Sequence, residues 1–161
     1  MKPLGPLALL LLAGCGPVDT TRWQERQAAI DPPMLWRVRV VGGPVASNPV
    51  EVCADSIMHA GFMEPMPTLN GQRCQPVDGR RALGPDRRLH CQSHGRRYAV
   101  TSHLAGDPDA SFTVRFAVQP LGQKGAYEQT RRYERLGRCP AGWRVGAHTD
   151  QQGRRHADAR W

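Results

Sequence analysis

The alternation of apolar and polar residues in the middle of the chain predicts antiparallel β-strands. Within residues 34–41, Trp36 and Val38 fall on one face, whereas Arg37 and Arg39 fall on the other. A period of two residues is typical of a strand with one buried face. The same pattern recurs along the chain, and we predict further strands at residues 50–53, 88–93, 97–104, 111–119 and 127–135.

Turn signals separate these strands and fix the fold class. His94-Gly95 and the run from Gly106 to Asp109 each stand between two consecutive strands. Sequential antiparallel strands with one apolar face must cover that face. We therefore expect a mainly β fold, an antiparallel meander that forms a curved sheet or a partly closed barrel. Residues 56–66 are ambiguous and favour one helical turn followed by a loop, because prolines stop any longer element.

The first residues of the chain are typical of an exported protein. The apolar run after Lys2 is too short for a membrane span, which needs ~20 residues, but it fits the core of a secretory signal, typically ~7–15 residues. Leu12-Ala13-Gly14-Cys15 then resembles the bacterial lipoprotein signal, in which two small residues precede a lipidated cysteine. The resemblance implies that residues 1–14 are a signal peptide and that Cys15 carries the lipid. The alternative is an ordinary signal peptide with a chance cysteine.

The remaining segments divide into a tether, one domain and a tail. Gly16 rather than an aspartate follows the cysteine, and resemblance to enterobacterial lipoproteins then implies the outer membrane, facing the periplasm. Residues 15–33 are polar and predict a flexible tether, although residues 22–29 could form a short helix. Residues 144–161 lose all apolar periodicity and predict a disordered tail. Residues 34–143 remain as a β domain of ordinary size.

The four later cysteines predict two disulfides. Cys53, Cys74, Cys91 and Cys139 form an even set in a domain expected to be exported, and four cysteines allow three pairings. We favour Cys53–Cys74, which would close a segment rich in proline and glycine, and Cys91–Cys139, which would tie a central strand to the end of the last one. A thiolate metal site is the disfavoured alternative, because no pair of ligands with metal-binding spacing stands next to a second pair.

The charge of the chain bears on its partners. The 161 residues include 22 Lys+Arg against 14 Asp+Glu, and every basic residue except Lys2 and Lys124 is arginine. Arginine favours bidentate contacts with phosphate. Export argues against nucleic acid, so we expect an anionic envelope lipid or another envelope protein as partner. The alternative is that the arginines only solvate the outer surface.

Residues that could carry chemistry are few. The sequence contains no G-x-S-x-G, no phosphate-binding glycine loop and no H-E-x-x-H. We therefore expect neither catalytic residues nor a cofactor. Met58, His59, Met63 and Met66 offer soft ligands that suit copper(I), so a periplasmic copper carrier is an alternative function. The competing interpretation is that these methionines fill gaps over the sheet.

The order of the landmarks resembles a known family. Leu35-Trp36-Arg37-Val38 opens a strand, and Arg135-Leu136-Gly137-Arg138-Cys139-Pro140 closes one, with cysteines between them. This arrangement resembles the proteobacterial domain-of-unknown-function family 3617, whose members open with G-L-W-E/R-V and close with R-x-I/L-G-x-C-P. The match covers residues 33–143, and Met34 stands where the family usually has glycine. The resemblance implies exported, disulfide-bearing, mostly β proteins, and it lends no catalytic residue.

Together these patterns predict a lipid-anchored protein of the cell envelope. Its expected role is non-enzymatic, either binding or envelope maintenance. We expect an apolar or anionic partner to bind the face of the sheet that carries Trp36, Val38 and Val40, together with Phe112, Val114 and Phe116.

Overall fold

The computed structural model describes residues 20–42, 48–77 and 85–157. Residues 1–19 lie outside this range, and with them the predicted signal peptide and Cys15. The elements are α1 (Thr20–Ile30), β1 (Met34–Val41), β2 (Val50–Ala54), α2 (Ser56–Met63), β3 (Thr68–Leu69), β4 (Gln72–Arg73), β5 (Gln75–Pro76), β6 (Asp86–Ser93), β7 (Arg96–Asp107), β8 (Ser111–Pro120), β9 (Tyr127–Arg138), β10 (His148–Thr149) and β11 (Arg155–His156).

One antiparallel sheet forms the body of the fold. Its strand order is β11-β10-β2-β1-β9-β8-β7-β6-β5, and β3 and β4 form a separate hairpin. Strands β6 to β9 follow one another as a meander, and β1 then pairs with β9 over its whole length. The prediction of a mainly β, antiparallel fold is confirmed. Among the described residues the sheet ends at β11 and β5 and is not closed.

The turns form where the residue types favour them. His94 and Gly95 both have positive φ and join β6 to β7, as predicted. Gly106 has a φ of +104°, and a Cβ at this position would come within 2.6 Å of the Ser111 carbonyl oxygen. The chain can approach the start of β8 so closely only because no side chain stands there.

Alternation gives the sheet two unlike faces. We call the covered face the side formed by Trp36, Val38, Val52, Val100, Phe112, Val114, Phe116, Val118 and Tyr133. We call the open face the side formed by Arg37, Arg39, Glu51, Thr101, His103, Thr113, Arg115, Glu128, Arg132 and Glu134.

Helix α2 covers one half of the covered face. Asp55 begins the helix, because its carboxylate accepts a hydrogen bond from the Met58 N–H at 2.9 Å. Phe62 is buried in a cluster with residues of β1, β2, β8 and β9. The segment 56–66 was expected to hold a single helical turn, and the structure extends it to eight residues.

The segment after α2 covers the other half. Met66 and Leu69 pack on a second cluster that includes Val100 and Phe116. Glu64 accepts a hydrogen bond from Arg87 at 2.6 Å, which ties this segment to β6. Both halves of the apolar face are therefore occupied by the chain itself.

The disulfides join Cys53 to Cys139 and Cys74 to Cys91, with Cα–Cα distances of 5.8 and 5.5 Å. All four cysteines are bridged, but the pairing favoured from the sequence is wrong. Cys53 lies in β2, whereas Cys74 precedes β5, six strands away along the sheet. With strands spaced ~4.8 Å apart, that separation far exceeds the ~7 Å limit for a disulfide.

The segment predicted as a disordered tail is ordered over residues 144–157. The N–H of Cys53 donates to the Ala147 carbonyl at 2.9 Å, and the Gly146 N–H donates to the Cys53 carbonyl at 2.8 Å. His148 is buried, and β10 and β11 extend the sheet beyond β2. The prediction fails because these two-residue strands depend on β2 rather than on a pattern of their own. Residues 158–161 lie outside the described residues.

The predicted tether contains a helix of 11 residues, α1. Ile30, near its end, is 80% exposed. Asp31 follows the helix, and its carboxylate accepts the Ser56 N–H at 3.0 Å. Hydrogen bonds from Ser56, that of its side chain first and that of its N–H second, lower the pKa of Asp31. Residues 15–33 therefore include regular structure next to the β domain.

Candidate binding surface

The apolar face that we expected to bind a partner is covered by other side chains of the same chain. Trp36 is 3% exposed and Phe112 is 1% exposed. The His59 ring stacks on Trp36 with the ring centroids 4.6 Å apart, and Phe62 packs edge-on against the same indole. No partner can reach these rings unless α2 moves. The prediction that a partner binds this face is therefore wrong for the folded chain.

The four candidate copper ligands do not share a site. Met58 and Met63 pack on the first core cluster, whereas Met66 packs on the second. The Nε2 of His59 lies 2.9 Å from the Pro108 carbonyl oxygen and donates to it. These contacts are those of gap-filling side chains. Among the described residues no group of three His, Cys, Asp or Glu side chains could hold a metal ion.

The open face is polar, and most of its charges are paired. Arg37 donates to Glu51 at 2.9 Å, across the β1–β2 pair. Arg115 donates to Glu128 at 2.6 Å, and this hydrogen bond raises the pKa of Arg115. These two arginines therefore already have anionic partners.

A third pair lies near the outer side of this face. His103 Nδ1 and an Asp86 carboxylate oxygen are 2.6 Å apart. The pair lies in a shallow groove of about 540 Å³ that also includes Arg88, Arg115 and Glu128. Both side chains are more than half exposed. Arg87 also lines the groove, but it already donates to Glu64, as Arg115 does to Glu128.

Arg39 and Arg132 stand apart from this pattern. They face each other directly in the β1–β9 register, which places their Cβ atoms ~5 Å apart. Neither has a hydrogen bond or ion pair with another described residue. Together with Arg37 and Glu134 they line a cavity of about 120 Å³. This cavity is the strongest candidate for anion binding on the described surface.

Sequence reasoning placed Arg37 and Arg39 on the outward side of β1, and the structure confirms this. Sequence reasoning did not predict that Arg132 and Glu134 lie beside these two arginines, because β1 and β9 lie far apart in the chain. The only signal was the arginine pair at 131–132 inside a predicted strand. Arg131 belongs to the covered side, where its guanidinium lies over Phe116 at 5.1 Å.

The fold and this surface define a mainly β, disulfide-bonded domain with an arginine-lined cavity on its open face. Comparisons with protein-family models, with curated proteins and with solved structures found no match. Within the described residues, no helix has the length and apolar character needed to cross a membrane.

Proposed function

We propose that this chain is an exported, lipid-anchored protein of the bacterial cell envelope that binds an anionic partner without catalysis. The observation that carries the binding role is the pair Arg39 and Arg132, two guanidinium groups that face each other without a carboxylate partner among the described residues. Arginine in this arrangement offers several planar N–H donors to one anion.

Two features support export and anchoring. The two disulfides suit an oxidising compartment, since such bonds are rare in the cytosol. Leu12-Ala13-Gly14-Cys15 supplies the pattern of a lipidation signal. In that signal the cysteine thiol takes a diacylglyceryl group, and two acyl chains are enough for stable anchoring.

The intact mass of the native protein tests the anchor. We expect a chain that begins at Cys15 and carries added acyl mass, with no free thiol before reduction. A native product that retains residues 1–14, or that has four titratable thiols, would contradict the proposal. A Cys15→Ser variant serves as the control, because it should lose the acyl mass and keep both disulfides.

Retention on envelope lipids tests the binding role. Every described element lies within residues 20–157, so a chain of residues 16–161 contains the whole described fold. We expect it to sediment with vesicles made from envelope lipids, and we expect retention to fall as salt rises, because exposed charges are screened over ~10 Å at 0.1 M ionic strength. No retention at low salt would overturn the binding role.

A further inference from the structure

The open face holds an unpaired acid beside its unpaired arginines. Glu134 lies two residues from Arg132 on β9, so both side chains point to the same side. Its register partner is Arg37, but Arg37 donates to Glu51. Glu134 has no hydrogen bond or ion pair with another described residue. The lining of the cavity thus includes two cations and one anion that pair with no other described residue.

Such an arrangement is costly without a ligand. Like charges directly opposite each other destabilise an antiparallel pair, and Arg39 and Arg132 occupy such positions. An anion between the two guanidinium groups would remove the repulsion. The anionic group that the two arginines bind would lie at the same cavity as the Glu134 carboxylate, and an ammonium group next to it in the same ligand would pair with that carboxylate.

We propose that Arg39 and Arg132 bind the phosphate, and Glu134 the ammonium group, of a phosphoethanolamine headgroup in the membrane that carries this protein. The inference rests on the proposed function, because the lipid anchor is what brings the domain to that membrane. The phosphate accepts N–H donors from both guanidinium groups. The ammonium, two carbons away, donates to the carboxylate. Phosphoethanolamine therefore carries one negative and one positive group, which complement the arginines and the glutamate that line the cavity.

The reach of the chain allows this contact. Residues 15–19 span at most ~18 Å when extended, and the 11 residues of α1 add ~16 Å. The β domain therefore stays within a few nanometres of the headgroups, and this high effective concentration makes a weak individual contact sufficient.

Vesicle binding by residues 16–161 tests the proposal, at lipid concentrations high enough to detect a weak contact, because this chain lacks the anchor. The probe vesicles contain phosphatidylethanolamine in a phosphatidylcholine background, and the control vesicles contain phosphatidylcholine alone. Phosphatidylcholine has the same phosphate and net charge, but its ammonium has no N–H to donate. We expect binding to be about fivefold to tenfold stronger with phosphatidylethanolamine, since the charge-assisted contact between its ammonium group and Glu134 is gained. Equal binding to the two vesicles would overturn the proposal.

Three variants assign the contact to residues. Arg39→Gln with Arg132→Gln should abolish the preference for phosphatidylethanolamine, whereas Arg73→Gln with Arg96→Gln removes the same charge elsewhere and should leave it intact. Glu134→Gln should reduce binding to phosphatidylethanolamine but not to phosphatidylglycerol vesicles. If Glu134→Gln leaves phosphatidylethanolamine binding unchanged, or the control pair loses it equally, the proposal is wrong. Thermal unfolding of each variant confirms that it is folded. The anchor-mass experiment is independent, so either proposal can fail alone.

Discussion

Tyr133 lies between two phenylalanines in the larger core cluster. Its ring stacks on Phe112 and Phe62 with centroid distances of 4.7 and 5.0 Å. The side chain is 1% exposed. Burial raises the pKa of the Tyr133 phenol, and the positive charge of Arg131 offsets part of this effect. The phenol is therefore held protonated in the folded state at a pH where the unfolded chain ionises.

Stability should consequently fall at alkaline pH. An unfolded tyrosine ionises near pH ~10, so above that pH the unfolded state binds fewer protons than the folded state and is favoured. The stabilisation is complete below pH ~10 and is lost as the pH rises toward the folded pKa. Urea unfolding at pH 8 and pH 11 measures this loss.

Two variants identify the residue responsible. Tyr133→Phe should make the free energy of unfolding less dependent on pH between these values. Tyr127→Phe is the control, because Tyr127 is 59% exposed and its phenol is not buried in the core. An equal effect of the two substitutions would show that Tyr133 is not the group.

Helix α2 takes its stability from one buried side chain. Phe62 is 3% exposed and packs against Trp36 and Tyr133, whereas Ile57 on the same helix is 75% exposed. Phe62→Ala should lower the free energy of unfolding by about 3–5 kcal/mol, because it leaves a cavity in the core. Ile57→Ala should change it by less than about 0.5 kcal/mol. Urea denaturation measures both, and similar losses would contradict the covering role of α2.

The hairpin β10–β11 depends on Asp150. Its carboxylate contacts the His156 ring at 3.0 Å and accepts N–H groups of Arg154 and Gln152. These hydrogen bonds, that of His156 first, lower the pKa of Asp150. Their contribution to stability is therefore present above the ordinary carboxyl pKa of ~3.9 and is lost as the pH falls through the lower folded value.

Removal of this carboxylate should loosen the end of the chain. We expect Asp150→Ala to speed amide hydrogen exchange at Cys53 and Gly146, whose N–H groups join β2 to the C-terminal segment. Gln151→Ala changes the neighbouring exposed side chain and should leave exchange unchanged. Unchanged exchange in Asp150→Ala would show that the hairpin holds without this residue.

The elements that sequence reasoning found are those with local signals. The alternation of Phe112, Val114 and Phe116 predicts both the strand and its buried face, without information from the rest of the fold. The signal for α2 was mixed, since helical residues run up to prolines at 65 and 67. Strands β10 and β11 carry no signal, because two residues cannot show a period. These strands are ordered because the segment that contains them makes contacts with β2.

At the scale of the whole molecule, the sequence did not predict which strands are neighbours. Nothing near Leu35 indicates that it lies between Cys53 and Gly137. This long-range pairing brings Cys53 to Cys139, and it also brings Arg39 to Arg132. The disulfide pairing and the candidate cavity were therefore beyond local reasoning for the same cause.

The two disulfides should contribute unequally to stability. They close loops with sequence separations of 86 and 17 residues, for which chain entropy gives about 4–5 and about 3 kcal/mol. Replacing Cys53 and Cys139 by serine should therefore destabilise the fold more than replacing Cys74 and Cys91. Denaturant unfolding of the two double variants compares them. Non-reducing peptide mapping checks the pairing, and a peptide containing Cys53 linked to Cys74 would contradict the fold.

The position of β1 between β2 and β9 also governs how the protein can be made. During synthesis β1 emerges nearly a hundred residues before the strand that completes its second ladder of hydrogen bonds. Contacts so distant in sequence form late and slowly. Until residues 127–138 are available, the growing polypeptide exposes an unpaired strand edge that invites aggregation. Completion of the sheet around β1 therefore waits for β9, and we expect a product cut short before β9 not to reach the native fold.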